Sequence, residues 1–275
     1  MADARAVTAT SPAPPGAGAS GGAGEFLRGL VSPAFVSLLG FVLLWWLASQ
    51  GQPPYILPSP DAVVRSFWEI AFETGELWRA IGITLISLAL GGALALVVGV
   101  PLGMLMGAQR RIQHAFEMYV NALYVAPVSA LTPLFIFWLG IDLAPRVATV
   151  FVFAVPQVVI TCFRGARDTP TTFLQVAAAF RATRGQIYTK VLIPHELPYI
   201  ITAIRLGLGQ AIKGAVLAEL VISSTGLGLL LMTYSQLFDT ASLIAVLFVL
   251  MFLGILATAA IARIERALTP WRRPA

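Results

Sequence analysis

A chain of 275 residues that is 58% hydrophobic and only 11% charged is no soluble domain, which carries roughly a quarter charged residues. Its mean hydropathy of +0.84 places it in a bilayer, and its net charge of +5 resides at segment ends and loops rather than on one solvent face, which excludes a nucleic-acid surface. A single cysteine, Cys162, and two distant histidines, His114 and His195, exclude an internal disulfide and a metal cluster.

Residues 1–24, rich in Ala, Gly, Pro, Ser and Thr without periodicity, read as a disordered N-terminal segment. They lack the basic start, apolar core and cleavage site of a signal peptide. Residues 25–79 hold the predicted first span, 33–49, and then an interfacial helix. Trp45 and Trp46 mark the span's end, since tryptophan favours the membrane–water interface. In Leu57-Pro58-Ser59-Pro60, Ser59 suits an N-cap, Pro60 the first helical position and Asp61 the dipole. Val63, Val64, Phe67, Trp68 and Phe72 make the apolar stripe of that helix.

Residues 80–266 form the predicted core. The second span, 81–106, carries small residues every four positions: Gly91, Ala95, Gly99, Gly103 and Gly107. Such a ridge lets another helix approach closely, and Pro101 marks a kink site. After a basic turn at 109–114, a third span at 115–139 is expected to be broken by Pro127 and Pro133. The fourth, 147–163, contains Pro156, Gln157 and Cys162, the last a small packing residue. The fifth is 199–222 and the sixth 241–262, separated by the small-residue turn Ser223-Ser224-Thr225-Gly226-Leu227-Gly228. A short tail, 267–275, follows. No repeat appears at periods of 20–50 residues, which excludes a solenoid. The fold class is all-α, a polytopic helical bundle of about six spans.

Six spans put both termini on one side. That side collects Arg5, Arg28, Arg110, Arg111, Arg164, Arg167, Arg181, Arg184, Lys190, Arg263, Arg266, Arg272 and Arg273; the other has Arg65, Arg79 and Arg146. The positive-inside rule therefore places the termini and the loop 164–197 in the cytoplasm.

That loop contains Gln175 to Pro198. Ala177, Ala178 and Ala179 favour helix and leave room for a close neighbour. Gly185 is placed to break two short helices, while Ile187, Val191 and Leu192 share an apolar face. Pro194 and Pro198 are expected to stop and restart the chain. With Arg181, Arg184 and Lys190, this is a helix–turn–helix with an apolar and a basic side, shaped as a plug for a partner's groove.

The segment resembles the cytoplasmic "EAA" loop of ABC-importer permeases, whose pattern is Glu-Ala-Ala, three residues, Gly, about nine residues, then Ile-x-Leu-Pro. Aligned on Pro194, the Glu-Ala-Ala positions hold Gln175, Val176 and Ala177, and Arg181 stands on the glycine. The back of the motif, Val191 to Gly209, is similar to permeases of the nitrate, sulfonate and taurine importers. So are the LPSP start of the interfacial helix, the stretch Pro133 to Ile141, and the Gly226-Leu227-Gly228 turn. The resemblance implies a type I ABC-importer permease fold in a bacterial inner membrane. It implies a second permease copy, a cytoplasmic ATPase dimer seated on the loops, and a periplasmic solute-binding protein. ATP and Mg would sit on the ATPase; this chain has no Gly-x-x-x-x-Gly-Lys-Ser/Thr phosphate loop and binds no cofactor of its own. The solute it implies is a small anion such as nitrate, a sulfonate or taurine.

Arg205, Lys213 and Glu219 fall in the fifth span, where an ionisable group needs water or a partner. Arg205 is placed to snorkel and Glu219 to be solvated at the outer end. Lys213 is the deep one. Either it lines the translocation path and attracts an anion, or it pairs with a carboxylate such as Glu219 or Glu117. Gln210 lies one turn earlier on the same face, with Gln157 and Asn121 as further candidates for that polar seam. Two other classes compete: an ion-coupled secondary transporter, which often shows inverted repeats that are not visible here, and a membrane enzyme, for which no metal set, Ser/Lys pair or Asp pair stands out.

Overall fold

A computed structural model describes residues 33–222 and 225–268. The segment 1–24 and most of the tail 267–275 lie outside the described residues. Every regular element among those described is helical: α1 Pro33–Ser49, α2 Pro60–Trp68, α3 Glu76–Ala108, α4 Arg110–Val125, α5 Val128–Leu139, α6 Leu143–Arg167, α7 Thr171–Ala179, α8 Arg184–Ile187, α9 Ile193–Ile222, α10 Leu227–Gln236 and α11 Thr240–Leu268.

Four helical runs are long and apolar enough to cross a membrane: Glu76–Ala108, Leu143–Arg167, Gly185–Ile222 and Thr240–Arg263. The pair α4–α5, bent by 100°, makes a fifth if counted as one span. The expected third span is thus two helices. Proline forces its preceding residue out of the helical region, and Ala126 accordingly sits at φ −58, ψ 140 before Pro127. Pro133, expected to break the span as well, lies inside α5 without ending it. Between α9 and α11 the structure inserts α10, which the sequence reading left as a turn; ten residues are too few for a hydropathy signal of a span.

The small-residue ridge of α3 decides how the core packs. A Cβ on Gly91 would come within 2.5 Å of Val150, one on Gly99 within 2.8 Å of Val158, one on Gly103 within 2.8 Å of Cys162, and one on Gly107 within 2.4 Å of Ala166. The partners on α6 also advance by four residues in the same direction, so α3 and α6 run parallel with their backbones in close approach. Parallel packing requires residues 109–142 to return to the starting side, which is the path that α4 and α5 together provide. Gly207 and Gly214 of α9 meet Val158 and Phe153 of α6 in reversed order, so α9 runs antiparallel to it, with Val158 wedged between α3 and α9. Cys162, fully buried, is the packing residue expected.

At the opposite end, Ser59 N-caps α2 by backbone geometry, with Pro60 at the first helical position. The hydroxyl of Ser59 and the guanidinium of Arg65 hold the Asp61 carboxyl below the usual carboxylate range. Trp45 donates from Nε1 to the Pro58 carbonyl at 3.0 Å, fixing α1 to the start of α2. A π-turn, Glu69–Glu73, then leads to α3.

Candidate functional site

The segment 171–198 is a framed turn. α7 ends in a Schellman arrangement: Arg181 N–H donates to Ala178 O at 2.9 Å and Ala182 N–H to Ala177 O at 2.9 Å. The residue that must adopt the left-handed conformation in this arrangement is Arg181, at φ 51. Gly185 was expected to make the break; it lies instead inside α8 at an ordinary helical φ. The turn therefore sits where the motif's glycine stands, with an arginine there at a cost of about 1–2 kcal/mol. α8 opens with a capping box: the Thr183 amide donates to Gln186 Oε1 at 2.9 Å and the Gln186 amide to Thr183 Oγ1 at 3.3 Å. That signature, Thr-x-x-Gln, was legible in the sequence.

Pro194 and Pro198 neither stop nor restart the chain; Gly185–Ile222 is one continuous run of 38 residues. The π-turn Tyr188–Leu192 immediately before α9 explains this. Its wider ring, closed by Ile193 N–H to Tyr188 O, opens the turn that the Pro194 ring would otherwise strike.

On this frame Ala177 faces inward, 8% exposed, while Gln175, Val176, Ala178, Ala179, Lys190 and Pro194 are exposed. Phe173, Val176 and Phe180 stand out as large apolar side chains, Phe180 at 83% exposure. A contiguous exposed apolar patch of this kind marks an interaction surface. Sequence reading missed Phe180, which adjoins the alanine run. It also missed Glu196, which is fully buried beside Gly165 and Tyr199 with neither carboxylate oxygen hydrogen-bonded.

The polar residues of the spans do not converge. Lys213 is exposed on a groove of about 1020 Å³ between α9 and α11, where it is the sole charged residue among Leu217, Leu250, Met251, Gly254, Ile255 and other apolar neighbours. Among the described residues no ion pair reaches it. Gln210 is half-buried, Gln157 lies on α6 with its amide 3.3 Å from Thr161 Oγ1, and Asn121 is exposed on α4.

Glu219 is not solvated at the outer end, as the sequence suggested; it is completely buried. Its Oε2 accepts from the Thr84 hydroxyl at 2.9 Å and from the Gly228 amide at 2.9 Å, and Leu227 N–H donates to Thr84 Oγ1 at 3.1 Å. The carboxylate thus caps the N-terminus of α10, where exposed amides and the helix dipole favour negative charge. Gly226, at φ 91, and Gly228 pass so close that a Cβ on either would lie 2.4 Å from Glu219 atoms. This is the physical reason for Gly-Leu-Gly at that place. Arg146, counted above as an outer-loop cation, lies inside α6 and is 5% exposed.

Residues 99–270 match the family of binding-protein-dependent transport system inner membrane components. The chain is 33% identical to the putative aliphatic sulfonates transport permease SsuC of Bacillus subtilis, over 90% of this chain and 88% of that one. It is 29% identical to the formylaminopyrimidine transport permease ThiX of Halalkalibacterium halodurans, over 86% and 94%, and 25% identical to the taurine transport permease TauC of Escherichia coli, over 86% and 88%. The chain belongs to this family. In fold, the permease is similar to a chain of the MetNI methionine ABC transporter in an inward-facing conformation, with a TM-score of 0.66 and 23% identity over 72% of this chain and 98% of that one. The permease is thus a multi-pass inner-membrane transport subunit of the ABC-importer type and not an enzyme. The matched region takes in α4 to α11, and with them the framed turn, the Lys213 groove and the Glu219 cap.

Proposed function

We propose that the permease works as one of two copies in an ATP-driven importer of a small anion, a sulfonate, taurine or nitrate, handed over by a periplasmic binding protein. It crosses the membrane six times, with α1 as the first span and both termini in the cytoplasm. The observation that carries this reading is the framed turn: apolar side chains held outward on a hydrogen-bonded support at the basic end of the bundle. Gln175, Val176, Ala178, Ala179 and Arg181 face an ATPase groove there, with Arg184, Gly185, Lys190 and Pro194 completing the segment. ATP binding in the partner draws the two turns together, and α9, continuous with α8, carries the movement into the bilayer. Lys213, set alone in an apolar groove, supports a path wall completed by the second copy, with attraction for an anion. Names of the relatives support the solute class, sulfonates and taurine among them.

Affinity purification of the permease from its native membrane tests this. Deletion of residues 175–193, Arg184→Glu and Ala178→Trp are expected to lose a co-purifying ATPase while the protein still inserts in the membrane. Full transport and full ATPase recovery in both point variants would remove the coupling assignment. A chain that purifies alone, and moves solute in vesicles on an ion gradient without ATP, would replace the importer by a secondary transporter.

A further inference from the structure

A cleft of about 810 Å³ lies behind the framed turn, between the α3–α4 corner, the end of α6 and the π-turn before α9. Arg110, Arg111 and Arg167 line it, and among the described residues no acidic one does. Among the described residues none of the three is ion-paired. The neighbouring carboxylate, Asp168, is not part of the lining and takes the Tyr199 hydroxyl at 3.5 Å. Two helices start at the cleft, α4 at Arg110 and α7 at Thr171, and neither has a side-chain cap or an acidic residue in its first turn. Their amides add positive potential, opposed by the carbonyl ends of α3 and α6 at the same cleft, so the arginines decide its sign. The independent observation is Thr169. It lines the cleft, is 7% exposed, and its buried hydroxyl has no hydrogen-bond partner among the described residues. A buried hydroxyl without a partner costs about 1–3 kcal/mol, and a ligand oxygen in the cleft relieves it.

We propose that this cleft binds a phosphate group. Arginine forks and helix amides are the donors that match phosphate oxygens, and the Thr169 hydroxyl supplies a further one. The cleft sits where the apolar runs of α3 and α6 end, the depth of a lipid phosphate. A free phosphate ester from the cytoplasm carries the same chemistry. Occupancy bears on transport because the walls belong to different moving parts: Gln109 donates from Nε2 to the Tyr188 hydroxyl at 3.0 Å, joining the α3–α4 corner to the turn that seats the partner. The inference rests on the reading above in placing the cleft on the cytoplasmic side and in linking its occupancy to transport.

The full chain, purified with whatever accompanies it, is placed in nanodiscs of phosphatidylcholine alone or with phosphatidylglycerol, and retained phospholipid is counted by native mass spectrometry. Inorganic phosphate is titrated separately and followed by phosphorus NMR. Retained phosphatidylglycerol that inorganic phosphate does not displace supports a lipid phosphate. Phosphate binding that displaces it, or occurs without it, supports a soluble one. In either case Arg110→Gln and Arg167→Gln each weaken binding roughly fivefold, Thr169→Val weakens it too, and Arg164→Gln, on the same last turn of α6 but outside the cleft, does not. Three outcomes overturn the site: neither probe binds, every variant binds as the native chain does, or the arginine variants shed the ATPase while binding is unchanged. The last would mean that a partner carboxylate covers the cleft. Neither binding readout involves transport, so failure here leaves the importer reading intact.

Discussion

Thr84→Val and Glu219→Ala are expected to be non-additive, although the two residues lie 135 positions apart. The Thr84 hydroxyl shares its one hydrogen between the Ala80 carbonyl, at 3.0 Å, and the fully buried Glu219 carboxyl, at 2.9 Å. A hydrogen bond to a charged group contributes about 1.5–3 kcal/mol in soluble proteins, and interhelical polar bonds in bilayers average about 0.6 and reach about 1.7 kcal/mol. The geometry here, 2.9 Å with no exposure, belongs in the upper half of the bilayer range, so the coupling is expected at about 1–1.7 kcal/mol. Glu219→Ala alone costs more than the pair's coupling, because it also strips the Gly228 amide of its acceptor. The assay is a double-mutant cycle by equilibrium unfolding in mixed micelles, with sodium dodecyl sulfate as the denaturant. A coupling below about 0.5 kcal/mol, the scatter expected of independent sites, would refute the buried cap. Gly226→Ala should destabilise as strongly as Glu219→Ala, since a Cβ there meets the carboxylate at 2.4 Å and the backbone sits at φ 91.

Arg181→Gly relieves the left-handed strain and should raise hydrogen-exchange protection over residues 177–187 about fivefold, equivalent to about 1 kcal/mol; Arg181→Val should lower it. Gly103→Leu should separate α3 from α6 and lower stability by about 1–3 kcal/mol, whereas Gly92→Ala, inside α3 with nothing within 4 Å of its Cβ, should keep or slightly raise the melting temperature. Lys213→Met should impair solute uptake in proteoliposomes while ATP hydrolysis by the partner stays coupled to the binding protein; unchanged uptake would assign Lys213 a structural role instead.

What the sequence revealed follows the range of the force involved. The ridge Gly91 to Gly107 was legible because helix geometry alone puts every fourth residue on one side. Its partner row on α6, Val150, Ala154, Val158, Cys162 and Ala166, was not, since those residues look like any apolar span. The capping box at Thr183 was equally readable, being a local exchange of hydrogen bonds. The preceding helix end was hidden because Arg181 occupies a position whose usual marker is glycine. Proline was ambiguous for a related reason. Pro127 ends a helix and Pro194 does not, and the difference is a π-turn that forms only in the folded chain. Glu219 was misplaced because sequence depth along a span says nothing about Thr84 and Gly228 folding over it.

These features bear jointly on how a push at the framed turn could reach the far side of the membrane. The run Gly185–Ile222 spans about 57 Å at 1.5 Å per residue. Near its far end, Glu219 is tied to α3 through Thr84 and to α10 through Gly228. Along the rest of its length it is packed closely on α6, with Tyr199 and Glu196 against Gly165, Gly207 against Val158 and Gly214 against Phe153. In the proposed cycle α9 and the α6 on which it is packed turn together about that pinned end, and the end that carries the framed turn moves most. Lys213 lies six residues, roughly 9 Å, from the pinned end. It therefore shifts less than the turn but in the same sense, and the α9–α11 groove it faces widens or narrows with the turn's position. In the proposed cycle the Glu219 cap is thus the fulcrum, and the polar cluster that a hydropathy profile treats as a cost is what converts a push on a surface turn into a change in the width of the groove.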